Sequence, residues 1–92
     1  MTAIQMFDPN QARVLVTYKG VSNEMPDPVD RESSDGDIRA MVAESISSGT
    51  IPGIAAEPAD LRDFMIDRFP PTAERAYALI AIRPKTPFGV PR

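Results

Sequence analysis

The chain contains neither cysteine nor histidine. Without cysteine there is no disulfide, no thiol nucleophile and no thiolate zinc site, and the composition fits a reducing compartment, so we predict a cytoplasmic protein. Without histidine the chain lacks the most common general base and the most common metal ligand. The sequence therefore predicts no catalytic residue, no cofactor and no metal site, in a protein that is not an enzyme.

Long apolar runs and clustered basic residues are missing as well. No apolar stretch approaches the roughly 20 residues that a membrane-spanning helix needs, and residues 1–8 lack the basic start and apolar stretch of a signal peptide. The net charge is −3, and no dense patch of lysine and arginine is available to follow a phosphate backbone. We therefore expect protein partners, with no nucleic acid and no membrane among them. The oligomeric state stays open.

Acidic residues are concentrated between residues 24 and 37, where six acids accompany Arg31 alone. Calcium-binding loops of the EF-hand type place glycine at the sixth position between carboxylates. Setting Gly36 at that position would put Arg31 first and Val42 twelfth, where carboxylates are required. The pattern fails, and we interpret the segment as a solvated loop.

The first half of the chain predicts a hairpin and a helix. Residues 13–19 are rich in β-branched and aromatic side chains and predict a strand, which Gly20 ends before a second short strand at 21–25. Ser34 can cap a helix that Gly49 terminates. The apolar positions of that helix follow one stripe: Ile38, Met41, Val42 and Ile46.

The second half predicts another helix and a last strand. Pro58 suits a first helical position, and Leu61, Phe64, Met65 and Phe69 recur at helical spacing before Pro70 and Pro71. Asp63 and Asp67 would then share the solvated side of this helix. Between the helices, residues 51–54 form an apolar turn that we expect to pack on the core, the alternative being an exposed partner patch. Residues 77–82 are apolar at every position, which predicts a central strand buried on both faces.

The order strand, strand, helix, helix, strand predicts an α+β domain of ββααβ type. The compact arrangement is β-grasp-like, with a three- to four-stranded sheet, both helices on one face, and the strand at 77–82 beside the strand at 13–19. We assign residues 1–11 to a flexible lead-in, 12–83 to the single domain and 84–92 to an extended tail rich in proline.

The tail is the most distinctive segment, because its three prolines oppose both helix and strand pairing and it carries no acid. It should project from an acidic body and contact a protein partner. Phe88 either folds back on the domain or anchors the tail in a partner groove. The predicted partner-binding residues are Arg83, Lys85, Phe88, Gly89 and Arg92.

Three short motifs resemble the small bacterial ubiquitin-like proteins, in particular protein C of the PRTRC gene clusters. They are Tyr18-Lys19-Gly20, Pro26-Asp27-Pro28 and Glu57-Pro58-Ala59-Asp60-Leu61-Arg62-Asp63-Phe64. The resemblance implies a β-grasp fold and a gene encoded beside relatives of ubiquitin-activating enzymes and JAB-type proteases. It also places the family's one major helix on the predicted second helix. The chain does not end in Gly-Gly, so conjugation through Gly89 would require removal of residues 90–92.

Three functions fit these patterns. One is a protein-interaction module of ubiquitin-like type, recognised through its sheet and its C-terminal tail. Another is an accessory or structural subunit of a larger assembly, including phage or mobile-element complexes, that docks through its termini. A third is a small acidic inhibitor that blocks a basic site.

Overall fold

The computed structural model describes residues 10–85, which form one mixed β-sheet and one helix. In chain order the elements are β1 (Gln11–Tyr18), β2 (Val21–Glu24), β3 (Val29–Asp30), α1 (Asp35–Ser48), β4 (Phe64–Phe69) and β5 (Ala78–Pro84). The sheet order is β2-β1-β5-β4, and β3 pairs with the start of β1. β5 is parallel to β1, whereas the other pairs are antiparallel.

This topology confirms the predicted α+β class. A hairpin precedes the helix, and the last strand then enters the sheet parallel to the first, between β1 and β4, as in a β-grasp-like fold. The predicted neighbours, the strand at 13–19 and the strand at 77–82, are adjacent. Val14 pairs with Ile80 and Val16 with Ile82 at the centre of the sheet. The sheet has five strands, more than the three or four expected.

The β1–β2 hairpin is built around a two-residue turn. Lys19 and Gly20 both have positive φ angles, 51° and 83°. Turns with positive φ at both positions match the right-handed twist of the strands that they join, and glycine adopts such angles without strain. Tyr18 then pairs with Val21, so this turn sets the register of the hairpin that the sequence predicted.

Helix α1 begins and ends as its sequence predicts. The Ser34 hydroxyl accepts a hydrogen bond from the N–H of Asp37 at 3.1 Å, which satisfies one of the free donors of the first turn. Gly49 has a φ of 72°, and the next N–H bonds back to the Ser45 carbonyl at 3.1 Å. Ile38, Val42 and Ile46 are fully buried against the sheet, while Met41 is half-buried at the edge of this stripe.

The prediction of a second helix is wrong, because residues 64–69 form strand β4. The spacing of Leu61, Phe64 and Met65 fits a helical face, but a six-residue segment with alternating faces and a following Pro70-Pro71 fits a strand equally well. Pairing decides between them. Without β4, the backbone groups on one side of β5 would lack partners. Asp67 therefore lies on a strand, rather than on the solvated side of a helix.

Strand β5 is central in the sheet, but it is buried on one face only. Ala78, Ile80 and Ile82 are at most 5% exposed and contact the core, whereas Leu79 and Ala81 are half-buried on the opposite side. With a single helix among residues 10–85, only one face of the sheet is covered. The expectation of burial on both faces was wrong for this reason.

The apolar turn after α1 belongs to the core, as we expected, and is not an exposed partner patch. Ile51 and Ile54 are 2% and 8% exposed. The Asn23 side-chain amide donates to the Pro52 carbonyl at 2.7 Å, which joins this turn to β2. Gly53 has a φ of 80°, and a Cβ there would lie 3.1 Å from that amide, so both the backbone angle and the close contact require glycine.

The strands extend slightly beyond the predicted domain. β1 begins at Gln11, within the assigned lead-in, and β5 ends at Pro84, opposite Phe64 and within the assigned tail. Proline is tolerated at this strand end because it need not donate to the neighbouring strand. Over residues 10–85 no helix is long and apolar enough to cross a membrane.

Candidate functional site

The sheet face opposite α1 carries a mixed set of apolar and charged side chains, which we call the open face. Cross-strand pairs share a face, so the register assigns its members without ambiguity. They are Arg13, Leu15 and Thr17 on β1, Ser22 and Glu24 on β2, Met65, Asp67 and Phe69 on β4, and Leu79, Ala81 and Arg83 on β5.

Apolar side chains cross the open face diagonally and end at Phe69, at its corner. Leu15 lies beside Ala81, and Leu79 lies beside Phe69. Ala81 and Leu79 follow each other on the same face of β5, so these four residues form a diagonal row across three strands. Phe69 is 44% exposed and is one of two large apolar side chains, with Met65 at 38%, that are exposed among the described residues. Exposed apolar side chains grouped on a sheet face that no helix of residues 10–85 covers make this face the candidate contact surface.

Polar pairs flank this apolar row. The Arg13 guanidinium donates to Glu24 at 3.0 Å, and Arg83 donates to Asp67 at 3.2 Å. All four side chains are substantially exposed, so each pair contributes at most about 1 kcal/mol to stability. Their charges cancel within the face. The open face is therefore neutral, with an apolar row between two ion pairs, although the chain carries a net charge of −3.

A groove adjoins one end of the open face. It has a volume of about 460 Å³, and its lining includes Phe69 and Leu79 together with Arg68 and residues 31–33. Arg68 fixes this side, because its guanidinium donates to the Ser33 carbonyl at 2.8 Å and to Asp35 at 2.7 Å. The groove offers space for a side chain that reaches past Phe69.

The predicted partner-binding residues are only partly within the described structure. Arg83 lies on the open face, where it is paired with Asp67 rather than projecting as part of a tail. Lys85 follows the end of β5, is exposed, and lines a groove with Arg39 and Phe64. Phe88, Gly89 and Arg92 lie outside the described residues, and their predicted roles stay predictions.

Sequence reasoning missed the apolar row of the open face. Leu15 and Leu79 lie in segments correctly predicted as strands, but Leu79 was expected to be covered in a strand buried on both faces, and Phe69 was expected on a helix. One signal in the sequence could have indicated this surface. In residues 64–69, Phe64 and Ile66 would lie on one face of a strand, and Met65, Asp67 and Phe69 on the other. This period of two is typical of a strand and would have placed Phe69 on a sheet face.

A polar cluster joins the hairpin turn to the segment before β4. Glu57 accepts from the Tyr18 hydroxyl at 2.7 Å and from the Lys19 ammonium at 2.6 Å. These hydrogen bonds, that of Lys19 foremost, hold the pKa of Glu57 below its ordinary value, and the bond to Glu57 raises the pKa of both Lys19 and Tyr18. Because every member has a partner, the cluster is suited to fixing the loop at 55–61 in place.

We expect Glu57→Gln to lower the melting temperature at neutral pH, and the effect should disappear in acid. A carboxyl whose folded pKa is depressed stabilises the fold above its unfolded pKa of about 4.3, and this contribution is lost as the pH falls through the folded pKa. Circular-dichroism melts from about pH 7 down to about pH 3 should therefore show a difference in melting temperature between wild type and Glu57→Gln. This gap should narrow below about pH 4.3. Glu74→Gln, which changes an exposed acid outside the cluster, is the control. A gap that does not change with pH would contradict this role.

The acids of the predicted solvated loop are held locally. Asp30 accepts from the N–H of Glu32 at 2.8 Å, and Asp35 pairs with Arg68. Within residues 10–85 no three acidic side chains are grouped so that they could hold a metal ion.

Comparison with known proteins adds no relatives. No protein-family model, curated protein or solved structure matches the chain. The resemblance to the bacterial ubiquitin-like proteins therefore stays a prediction. The segment that it assigned to the family's helix contains strand β4 in this chain.

Proposed function

We propose that this chain is a non-enzymatic protein-interaction module that binds a partner protein through the open face of its sheet. The observation that carries the proposal is the apolar row on that face, with Phe69 44% exposed and bordered by ion pairs. Interface centres are typically apolar with aromatic anchors, and their borders are polar. The neutral open face has this composition.

The polar groups of the domain also support a binding role. The chain has neither histidine nor cysteine, and the Glu57 carboxylate is shared by Tyr18 and Lys19. A general base must be free to take a proton from a substrate. A chain without cysteine needs no oxidising compartment, and we include a cytoplasmic location in the proposal.

The finer form of the proposal is a ubiquitin-like module recognised through both its sheet and its C-terminal tail. Two features support it: the β-grasp-like order of the strands and the Tyr18-Lys19-Gly20 turn of the first hairpin. The geometry at the end of β5 is also favourable. Arg83, a predicted partner-binding residue near the end of β5, pairs with Met65 on the open face. A partner on the open face could therefore contact Arg83 as well as the apolar row.

Site-specific photocrosslinking tests the proposal directly. A benzophenone amino acid is placed at position 69 of the full chain, and a matched protein carries it at position 47, which is exposed on α1. Irradiation in the native host followed by mass spectrometry should yield a protein adduct at position 69 that is missing at position 47. Equal adducts at both positions, or none at position 69, would remove the open face as the binding surface.

The identity of the crosslinked protein separates the three functions. An activating-enzyme or JAB-protease relative supports the ubiquitin-like module, whereas a component of a stable assembly supports an accessory subunit. An enzyme with a basic active site supports the inhibitor.

A further inference from the structure

Strand β4 forms one edge of the sheet, and its backbone pattern shows which groups face outward. The N–H of Phe64 donates to the Leu61 carbonyl at 3.0 Å, and the Phe64 carbonyl accepts from Arg39 at 2.8 Å. Its pairing partner on β5 is Pro84, which has no N–H to donate. Phe64 therefore exchanges no hydrogen bonds with β5. Residues that bond to a neighbouring strand alternate with residues that do not, so the backbone groups of Ile66 and Arg68 also point outward.

These outward groups are available for pairing. Among residues 10–85, none bonds to the outward N–H and C=O groups of Ile66 and Arg68. Two residues separated by one position, each with a donor and an acceptor, provide the pattern that an added strand requires. β4 thus presents the template by which sheet edges bind extended peptides.

Natural edge strands are usually protected by lysine, proline or a bulge. Residues 64–69 contain neither lysine nor proline, and their charged side chains are drawn away from the edge. Arg68 extends to the start of α1, where it bonds to Asp35 and the Ser33 carbonyl, and Asp67 pairs with Arg83 on the open face. Within residues 10–85, the edge is therefore left accessible.

A groove beside the start of β4 supplies the charge that selects an occupant. Its volume is about 390 Å³, and it is lined by Arg39, Arg62, Asp63, Phe64, Met65, Ile66 and Lys85. Arg62 is neutralised by a two-pronged contact with Asp60 at 2.8–3.0 Å. Arg39 and Lys85, in contrast, enter no salt bridge within residues 10–85.

Arg39 has a further unused donor. Its Nε is buried and has no hydrogen-bond partner in the described structure, while its Nη2 holds the Phe64 carbonyl. A buried donor without a partner is costly, and a guanidinium bonds most strongly to a carboxylate. With Arg62 neutralised by Asp60, the groove lining retains Arg39 and Lys85 against Asp63, which leaves one net positive charge. On a chain whose net charge is −3, this groove favours an acidic ligand.

We propose that β4 is a docking edge that accepts an extended acidic segment of a partner protein as an added strand. The segment pairs with the backbone of Ile66 and Arg68, its apolar side chains lie along Phe64 and Ile66, and its carboxylates reach Arg39 and Lys85. This surface is separate from the open face, since one is the rim of the sheet and the other its uncovered plane.

The test begins with random twelve-residue peptides displayed on phage and selected on the full chain. We expect the selected peptides to combine aspartate or glutamate with β-branched residues. The strongest is synthesised and added to the isotope-labelled protein, and amide hydrogen exchange is followed by NMR. Exchange at Ile66 and Arg68 should slow about tenfold or more when their N–H groups enter a ladder. A copy of the peptide N-methylated at alternate positions cannot pair and should not bind.

Protein variants identify the cations. Lys85→Gln and Arg39→Gln should each lower the affinity for the acidic peptide about tenfold, as expected for a lost charge-assisted hydrogen bond. Arg62→Gln should change affinity by less than about threefold, because Asp60 already neutralises the charge of Arg62 in the wild type. The exposed position of Lys85 keeps this test independent of folding, and a melting curve of Arg39→Gln shows whether that variant is folded.

Three results would overturn the proposal: selected peptides without acids, no selected peptide at all, or slowed exchange that maps away from Ile66 and Arg68. A fourth result would instead assign the edge to a second copy of the chain. In that case, exchange at these two residues would slow as the protein concentration rises, with no peptide present. Leu15→Ser alters the open face two strands from β4 and should leave peptide binding unchanged. The docking edge and the open face can therefore succeed or fail independently.

Discussion

The Ile80→Asp variant is expected to be unfolded at room temperature and neutral pH. Ile80 is 2% exposed on the covered face of the central strand. Loss of its side chain costs about 2–5 kcal/mol, and burial of an unpaired carboxylate adds several kcal/mol more. Small domains are stable by about 5–15 kcal/mol in total, and a domain of this size lies near the lower end.

Leu79→Asp, one position earlier on the same strand, is the matched comparison and should remain folded. Its side chain is half-buried on the open face, where water can solvate a carboxylate and Arg13 is the cross-strand neighbour. Circular-dichroism spectra and melting curves of the two variants decide the outcome. If both are unfolded, the open face is covered in the folded protein and its assignment as a binding surface fails. If both are folded, β5 is not the central strand.

Part of the fold could be predicted from the sequence alone. The hairpin, the helix from its Ser34 cap to Gly49, and the pairing of β1 with β5 were predicted correctly, because their signals are local or follow from compactness. Positive φ at Gly20 and Gly49, and the capping hydroxyl of Ser34, each act within a few residues. Such features are readable from a single sequence.

Strand β4 could not be predicted in this way, because its conformation depends on a distant partner. Residues 61–69 satisfy helical and strand periodicity together, and the choice is made by β5, whose free backbone groups need a neighbour. The predicted arrangement already left one sheet face without a helix, but it lacked strand β4. The pairing of β4 with β5 brings Met65, Asp67 and Phe69 to that face. Because this pairing is non-local, the sequence directed attention to the tail instead.

Arg83 and Lys85 illustrate the same limit at the site. Composition identified both as basic residues near a proline-rich end, and both do lie at exposed or half-exposed positions. Their environments differ, however. Arg83 is held by Asp67 on the open face, whereas Lys85 borders the groove beside β4. Composition alone does not show that two basic residues near the same strand end lie on different surfaces of the domain.

Phe69→Thr is expected to weaken binding of the open-face partner about thirty-fold or more, while the domain stays folded. An aromatic anchor contributes about 2 kcal/mol or more to an interface, which corresponds to this change in affinity. Phe69 is 44% exposed, so its removal leaves little cavity. Threonine also retains a high preference for strands. The melting temperature should therefore fall by less than about 4 °C.

The measurement is a titration of the partner recovered by crosslinking at position 69, followed by calorimetry or fluorescence anisotropy with wild type and Phe69→Thr. Ser47→Thr, on the exposed side of α1, is the control and should bind like wild type. The two variants separate contact from stability, because neither should alter the melting temperature much and only one lies on the open face. If Phe69→Thr binds as tightly as Ser47→Thr, Phe69 is not the anchor. The exposed apolar row would then be a surface feature of the sheet, and recognition would have to reside in the β4 edge or in residues beyond Lys85.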